Sequence, residues 1–258
     1  MSKFEHNQLI HAGEVLCDQS KPLKERFRAL FSLKDAAKMD SENGDLIISL
    51  MFKGLDKKEP SALLKHEIAY CLGQTECPQA VALLETVLLD SSRETIVRHE
   101  AGEALGAIAN RNCLPLLSRL AKEDPIPEVR DTCELAVDRI NWLHGGQAEK
   151  EKLYLSNNPY NSVDPAPPAV EKDTSKLLQI LLDEKLSLFE RYRAMFALRN
   201  IGDKESIQSI AQGNDNIIFL TYETKKYRSL YRNEYPCLKL LIFIFQDLNV
   251  PMPCFVMK

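Results

Sequence analysis

This chain repeats itself, and the repeat restricts its fold more than any other feature. Residues 63–73 read Leu-Leu-Lys-His-Glu-Ile-Ala-Tyr-Cys-Leu-Gly, and 33 residues later 96–106 read Ile-Val-Arg-His-Glu-Ala-Gly-Glu-Ala-Leu-Gly. His, Glu, Leu and Gly coincide, and a base precedes each His. Residues 128–136 continue the series, with Arg130-Asp131 in place of His-Glu. After each of the first two units comes a short polar break and another helical stretch, 79–89 and 113–122. Pro60-Ser61 and Asp124-Pro125 punctuate the units, and Ser61 stands where a helix N-cap is needed.

A helix, a turn and a second helix in just over about 30 residues is the spacing of HEAT-type repeats. One such hairpin cannot bury its apolar face alone, so neighbours stack into a continuous core. The sets Leu63/Leu64/Ile68/Leu72 and Val97/Ala101/Ala104/Leu105 have helical spacing and are expected to face it. Glycine is scarce, 10 in 258 residues, which favours helices over a loop-rich β fold. The expected class is all-α, a solenoid of helical hairpins.

A second period is longer. Residues 23–35 return as 188–200, an offset of 165, with seven of 13 positions identical. The chain therefore reads as a duplicated block. Between the copies lies Ser156-Asn157-Asn158-Pro159-Tyr160-Asn161-Ser162-Val163-Asp164-Pro165-Ala166-Pro167-Pro168, which no helix can traverse. The expected organisation is a first repeat half at 1–150, a Pro-rich linker at 151–173, and the start of a second half at 174–213. Residues 214–258 form a tail outside the repeat. The tail holds no Ala, Gly or His but eight of the 18 Phe and Tyr, and it reads as sequence from an intron, a shifted frame or an alternative last exon.

Net charge is −4 and no Lys/Arg cluster stands out, so no nucleic-acid partner is expected. No apolar run approaches the length of a membrane span, and the polar first residues do not read as a signal peptide. The seven Cys are scattered without a C-x-x-C, as suits reduced thiols in the cytoplasm rather than a zinc site. No Gly-rich phosphate loop or Ser/His/Asp pattern is present.

His66-Glu67 and His99-Glu100 occupy equivalent points of adjacent repeats. Stacked helices lie roughly 8–10 Å apart, so equivalent side chains can converge between them. Imidazole nitrogen and carboxylate oxygen suit iron, manganese or zinc, and two His with one carboxylate leave positions open for O₂ chemistry. Equally, each pair can be a surface salt bridge. Glu103, one turn beyond, reads either as a support of such a site or as a solvated residue. His6, His11 and His144 lie outside the frame and read as surface residues. Trp142 reads as a core residue capping the first half.

The strings 64–74 and 97–108, the linker 155–168 with its Ser-Val-Asp-Pro-Ala-Pro-Pro, and the string 189–199 resemble the signature segments of the deoxyhypusine hydroxylase family. The likeness runs from about residue 9 to about 213. It implies a HEAT-repeat, iron- and O₂-dependent monooxygenase that converts protein-bound deoxyhypusine to hypusine on a translation factor. It implies an Fe(2+) pair held between two halves, each with two His-Glu motifs. By resemblance, His66, His99 and Glu100 hold one iron, and Glu67 contributes to the metal site or receives the substrate's cationic amine. The sequence departs from that pattern in one respect: no His follows His144, so no second pair of His-Glu motifs is present. Two further readings stand beside the enzyme: a non-catalytic HEAT scaffold that binds a protein partner, and a one-metal hydrolase or lyase.

Overall fold

The computed structural model describes residues 6–39, 41–56 and 58–217. The tail beyond residue 217 lies outside them. Among the described residues the chain is helical, with no strand, and no helix is long and apolar enough to cross a membrane. The described residues divide into two compact units, one running to Ile140 and one starting at Asn141. The first holds α1 (His6–Cys17), α2 (Leu23–Met39), α3 (Gly44–Lys53), α4 (Ala62–Gln74), α5 (Val81–Leu89), α6 (Thr95–Ile108), α7 (Leu114–Glu123) and most of α8 (Pro127–His144). The second holds the end of α8, a short α9 (Gln147–Glu151), α10 (Thr174–Leu182), α11 (Leu188–Ile201) and α12 (Lys204–Ile217).

In the first unit the even-numbered helices carry the inner stripe. Leu64, Ile68 and Leu72 of α4 and Val97, Ala101, Ala104 and Leu105 of α6 are buried in one core. Each fully buried Leu or Ile contributes about 1.5–3 kcal/mol of transfer free energy. Leu63 departs from the expectation and is 41% exposed. It lies about 100° around the helix from Leu64, so the stripe that buries Leu64, Ile68 and Leu72 turns Leu63 outward. Ser61 caps α4 as its placement suggested, its hydroxyl accepting the Leu64 N–H at 3.1 Å.

Three of the hairpins are closed by the same device. An acidic residue bends the turn by accepting a backbone N–H two residues on: Asp18 from Ser20, Asp90 from Ser92, Asp183 from Lys185. A buried arginine in the second helix then donates Nε to a carbonyl near the end of the first helix, ten residues back. Arg26 reaches the Leu16 carbonyl at 2.8 Å, Arg98 the Leu88 carbonyl at 2.8 Å, and Arg191 the Leu181 carbonyl at 3.2 Å. This satisfies an acceptor that the helix end leaves open. In the first unit the guanidinium also forks onto an acid ahead of a later helix: Arg26 onto Glu59, Arg98 onto Asp124. Those acids in turn accept the N–H of Ser61 and Ile126. Lys65 replaces the arginine in α4 and pairs with Glu94 at 2.5 Å. The 165-residue offset therefore carries a whole mechanism across the duplication: Leu16, Asp18 and Arg26 correspond to Leu181, Asp183 and Arg191.

In the second unit the Pro-rich stretch is a strap laid on α11. Arg199 forks onto Asp164 at 2.6 and 2.9 Å, and its guanidinium lies over the rings of Phe196 and Tyr160. The Ala169 N–H donates to the Arg193 carbonyl at 2.9 Å. Arg193 also pairs with Glu151, which accepts the indole N–H of half-buried Trp142.

Candidate metal centre

The His-Glu pairs are brought together by glycine. Gly73 lies two helical turns after His66, on the same face, and Gly106 lies two turns after His99. A Cβ at Gly73 would stand 2.7 Å from the Ala104 Cα, and one at Gly106 would stand 2.8 Å from the Ala136 Cβ. Without a side chain at these points α4 closes onto α6, and α6 onto α8. The bases add direction: Lys65, which pairs with Glu94 ahead of α6, and Arg98, which ties its own hairpin, immediately precede His66 and His99.

The imidazole of His66 crosses from α4 to α6 and places Nε2 2.9 Å from the Glu100 carboxylate. Its Nδ1 lies 3.2 Å from Glu67 Oε1. On α6, the ligand atoms of His99, Glu100 and Glu103 all lie within 4.8 Å of one another. The expected residues thus meet, with Glu100 as the hub between the two histidines' helices. His99 Nδ1 lies 3.3 Å from the Glu128 carbonyl, which leaves Nε2 turned toward the carboxylates. A ring N–H given to a backbone carbonyl fixes the tautomer that offers the other nitrogen to a metal. His6, His11 and His144 are exposed, as their isolated placement suggested.

The two histidines titrate in opposite directions. Burial pushes His66 down, but the carboxylates of Glu100 and Glu67 outweigh it and hold His66 well above the ordinary histidine value. Burial also pushes His99 down, and there Glu100 and the Glu128 carbonyl do not overcome it. His66 therefore favours the protonated form between its two carboxylates, and His99 the neutral form.

The donor set fits a transition metal. With metal–ligand bonds of about 2.1 Å, two donors at right angles stand about 3.0 Å apart and two opposite donors about 4.2 Å. The 2.9 Å from His66 to Glu100 matches neighbouring positions on one ion. The 3.7 Å between His99 Nε2 and Glu103 Oε2 is too long for a hydrogen bond and short enough to span an ion. Among the described residues the five cysteines are free, and Cys71, Cys113 and Cys133 are buried with thiols pushed up in pKa by burial.

Comparison with known proteins follows the same lines. Residues 48–138 match the family described as HEAT repeats, and residues 190–213 match the PBS lyase HEAT-like repeat. The chain is 50% identical over 203 residues to deoxyhypusine hydroxylase of Rattus norvegicus, covering 78% of this chain and 62% of the relative. It is 48% identical over 207 residues to that of Drosophila melanogaster, covering 80% of this chain and 64% of the relative. The solved structure of human deoxyhypusine hydroxylase in complex with glycerol superposes with a TM-score of 0.72 at 44% identity, over 81% of this chain and 68% of that one. The fold and its matches define a HEAT-repeat protein. With 44% identity across two thirds of a solved relative, the chain belongs to the deoxyhypusine hydroxylase family. It spans about 62–64% of the length of the relatives it matches.

Proposed function

We propose that this chain carries an iron site of a protein hydroxylase, and that its reaction is the conversion of protein-bound deoxyhypusine to hypusine on a translation factor in the cytoplasm. The observation that supports this most is the 2.9 Å approach of His66 to Glu100 between equivalent helices of adjacent repeats, within a chain half identical to named hydroxylases. His66, His99 and Glu100 would hold Fe(2+). Bound iron(II) supplies the activation of O₂ that C–H hydroxylation needs. The protein's own share is positional. Glu128 holds His99 in one tautomer through its carbonyl. The Lys65–Glu94 pair and the close approach of Gly73 to Ala104 hold α4 and α6 at the separation the ligands need. Glu67, its side chain only 13% exposed, holds the His66 ring at Nδ1 and offers a carboxylate to the cationic amine of the substrate side chain.

We read the chain as a first half at 1–150 bearing this site, a strap at 151–173, the beginning of a second half at 174–213, and the remainder as separate from the repeat. A diiron centre as the family resemblance implies it would take a second pair of His-Glu motifs, and the sequence has no His after His144. A second reading is a HEAT scaffold that binds the same translation factor without oxidising it. The two separate in one assay. The full chain is incubated with iron(II), a reductant, O₂ and deoxyhypusine-bearing factor, and the factor's mass is followed. Gain of one oxygen atom, lost in Glu67→Gln, is the expected result. An unchanged mass in the presence of iron-loaded chain leaves the scaffold.

A further inference from the structure

We infer that the exposed stripe of α2 is a docking site for an extended, proline-rich, aspartate-bearing segment of another polypeptide, seated there as the chain's own strap is seated on α11. The inference is independent of the metal reading. It comes from the 165-residue offset, which pairs each residue of α2 with one of α11. On α11 the stripe Phe189, Arg193, Phe196 and Ala197 is buried. The strap runs along it. Asn200 donates to the Ser156 hydroxyl at 3.0 Å, Arg199 donates to Asp164, and the Ala169 N–H donates to the Arg193 carbonyl. On α2 the equivalents Lys24, Arg28 and Ser32 are exposed, and Phe31 is only half-buried. Their spacing of three and four residues makes them one face.

The open face keeps the features that grip the strap. In both copies a base lies over an aromatic ring three residues earlier: Arg199 is 4.7 Å from the Phe196 ring centre, and Lys34 Nζ is 5.4 Å from that of Phe31. Asp35 stands where Asn200 meets Ser156, and a carboxylate there can accept from a serine hydroxyl. The differences set the charge of the occupant. Lys24 replaces Phe189, and Arg28 is exposed where Arg193 is paired with Glu151. Lys24, Arg28 and Lys34 outweigh Asp35, so the face favours an acidic segment over a neutral or basic one. Prolines suit the occupant because a pre-extended segment loses less freedom on docking.

The test is fluorescence anisotropy of a labelled synthetic peptide with the sequence of residues 156–170, titrated with the full chain. Saturable binding is expected, and it should weaken at least about tenfold when the peptide's aspartate becomes asparagine, through loss of a charge-assisted hydrogen bond. Arg28→Glu reverses a charge on the face, and Ser32→Trp blocks it with a large ring. Each is expected to weaken binding by about tenfold or more, with the melting temperature of the chain unchanged because both positions are exposed. Lys24→Glu is a second charge reversal at an exposed position and keeps the test readable if either of those variants loses its fold. Wild-type affinity in the folded variants overturns the inference, since the peptide would then sit elsewhere, for example on α11 in exchange for the strap. Equal binding of the asparagine peptide overturns it too, as does the lack of saturation up to about 1 mM chain.

Discussion

Helices α6 and α11 share one frame and part ways in the two residues that follow the buried arginine staple. Both begin after an Asp-bent turn, and both carry a buried arginine, Arg98 or Arg191, that ties back to a carbonyl ten residues earlier. The next two residues are His99-Glu100 in α6 and Tyr192-Arg193 in α11. In α6 they face a carboxylate cluster. In α11 Tyr192 packs edge-on to Phe196, and Arg193 pairs with Glu151 under the strap. The first unit shows the same contrast internally, since α2 has Phe27-Arg28 after Arg26 where α4 has His66-Glu67 after Lys65. The staple thus belongs to the fold, and the pair that follows it is free to carry chemistry or packing.

The harshest way to break this contrast is to make α4 like α2. The double substitution His66→Phe with Glu67→Arg is expected to abolish metal binding, beyond the roughly 10–100-fold cost of losing a supporting residue. Helical content by circular dichroism should be retained. If metal binding survives, the pair after the staple is not the site.

The staple itself should matter next. Arg98 and Asp124 are both almost fully buried, so Arg98→Ala strands a buried carboxylate and is expected to destabilise the first unit by about 3–5 kcal/mol in urea denaturation. Breaking an exposed pair such as Lys176–Glu171 should have a far smaller effect, since solvent screens it. Equal effects of the two would refute the buried staple as a fold determinant.

A smaller, geometric effect is expected at the glycines. Gly73→Ala forces a methyl to within 2.7 Å of the Ala104 Cα, and should cost about 1–3 kcal/mol while weakening metal binding by parting His66 from Glu100. Gly44→Ala meets nothing within 4 Å and should leave metal binding unchanged. A Gly73→Ala protein that binds metal normally would show that helix approach does not set the site.

The smallest effect is on pH. In the metal-free protein the folded pKa of His66 is raised, so its stabilising contribution is fully present below the ordinary value of 6.5 and is lost as pH rises through the folded pKa. His99 is lowered, so it costs stability as pH falls below 6.5 toward its folded pKa. Thermal melting across neutral pH should therefore show a loss of stability on the alkaline side that disappears in His66→Gln. A slope unchanged by that substitution would place the proton elsewhere.

Much of this was legible before the structure. The 33-residue repeat set the hairpins, the Pro-Ser break set the cap at Ser61, and the register of two His-Glu pairs set the meeting of His66 with Glu100. What could not be read was direction and long reach. Leu63 is apolar like its neighbour, but only the packed hairpin decides which of two adjacent leucines turns inward. Glu59 and Asp124 stand in loops, where no periodicity marks them as partners for Arg26 and Arg98. Glu103 has the spacing of a site residue and equally of a solvated one, and it takes the placed side chain of His99 to show the gap between them. The Pro-rich stretch showed that no helix could continue, yet its attachment to α11 depends on Arg199 reaching 35 residues back to Asp164.

The most direct test of the central claim is iron per chain, measured in wild-type protein purified under iron(II) supply beside His99→Ala. The account predicts about one iron per wild-type chain, lost in the variant while the hairpins remain folded. No iron in the wild type, or equal iron in both proteins, would contradict it.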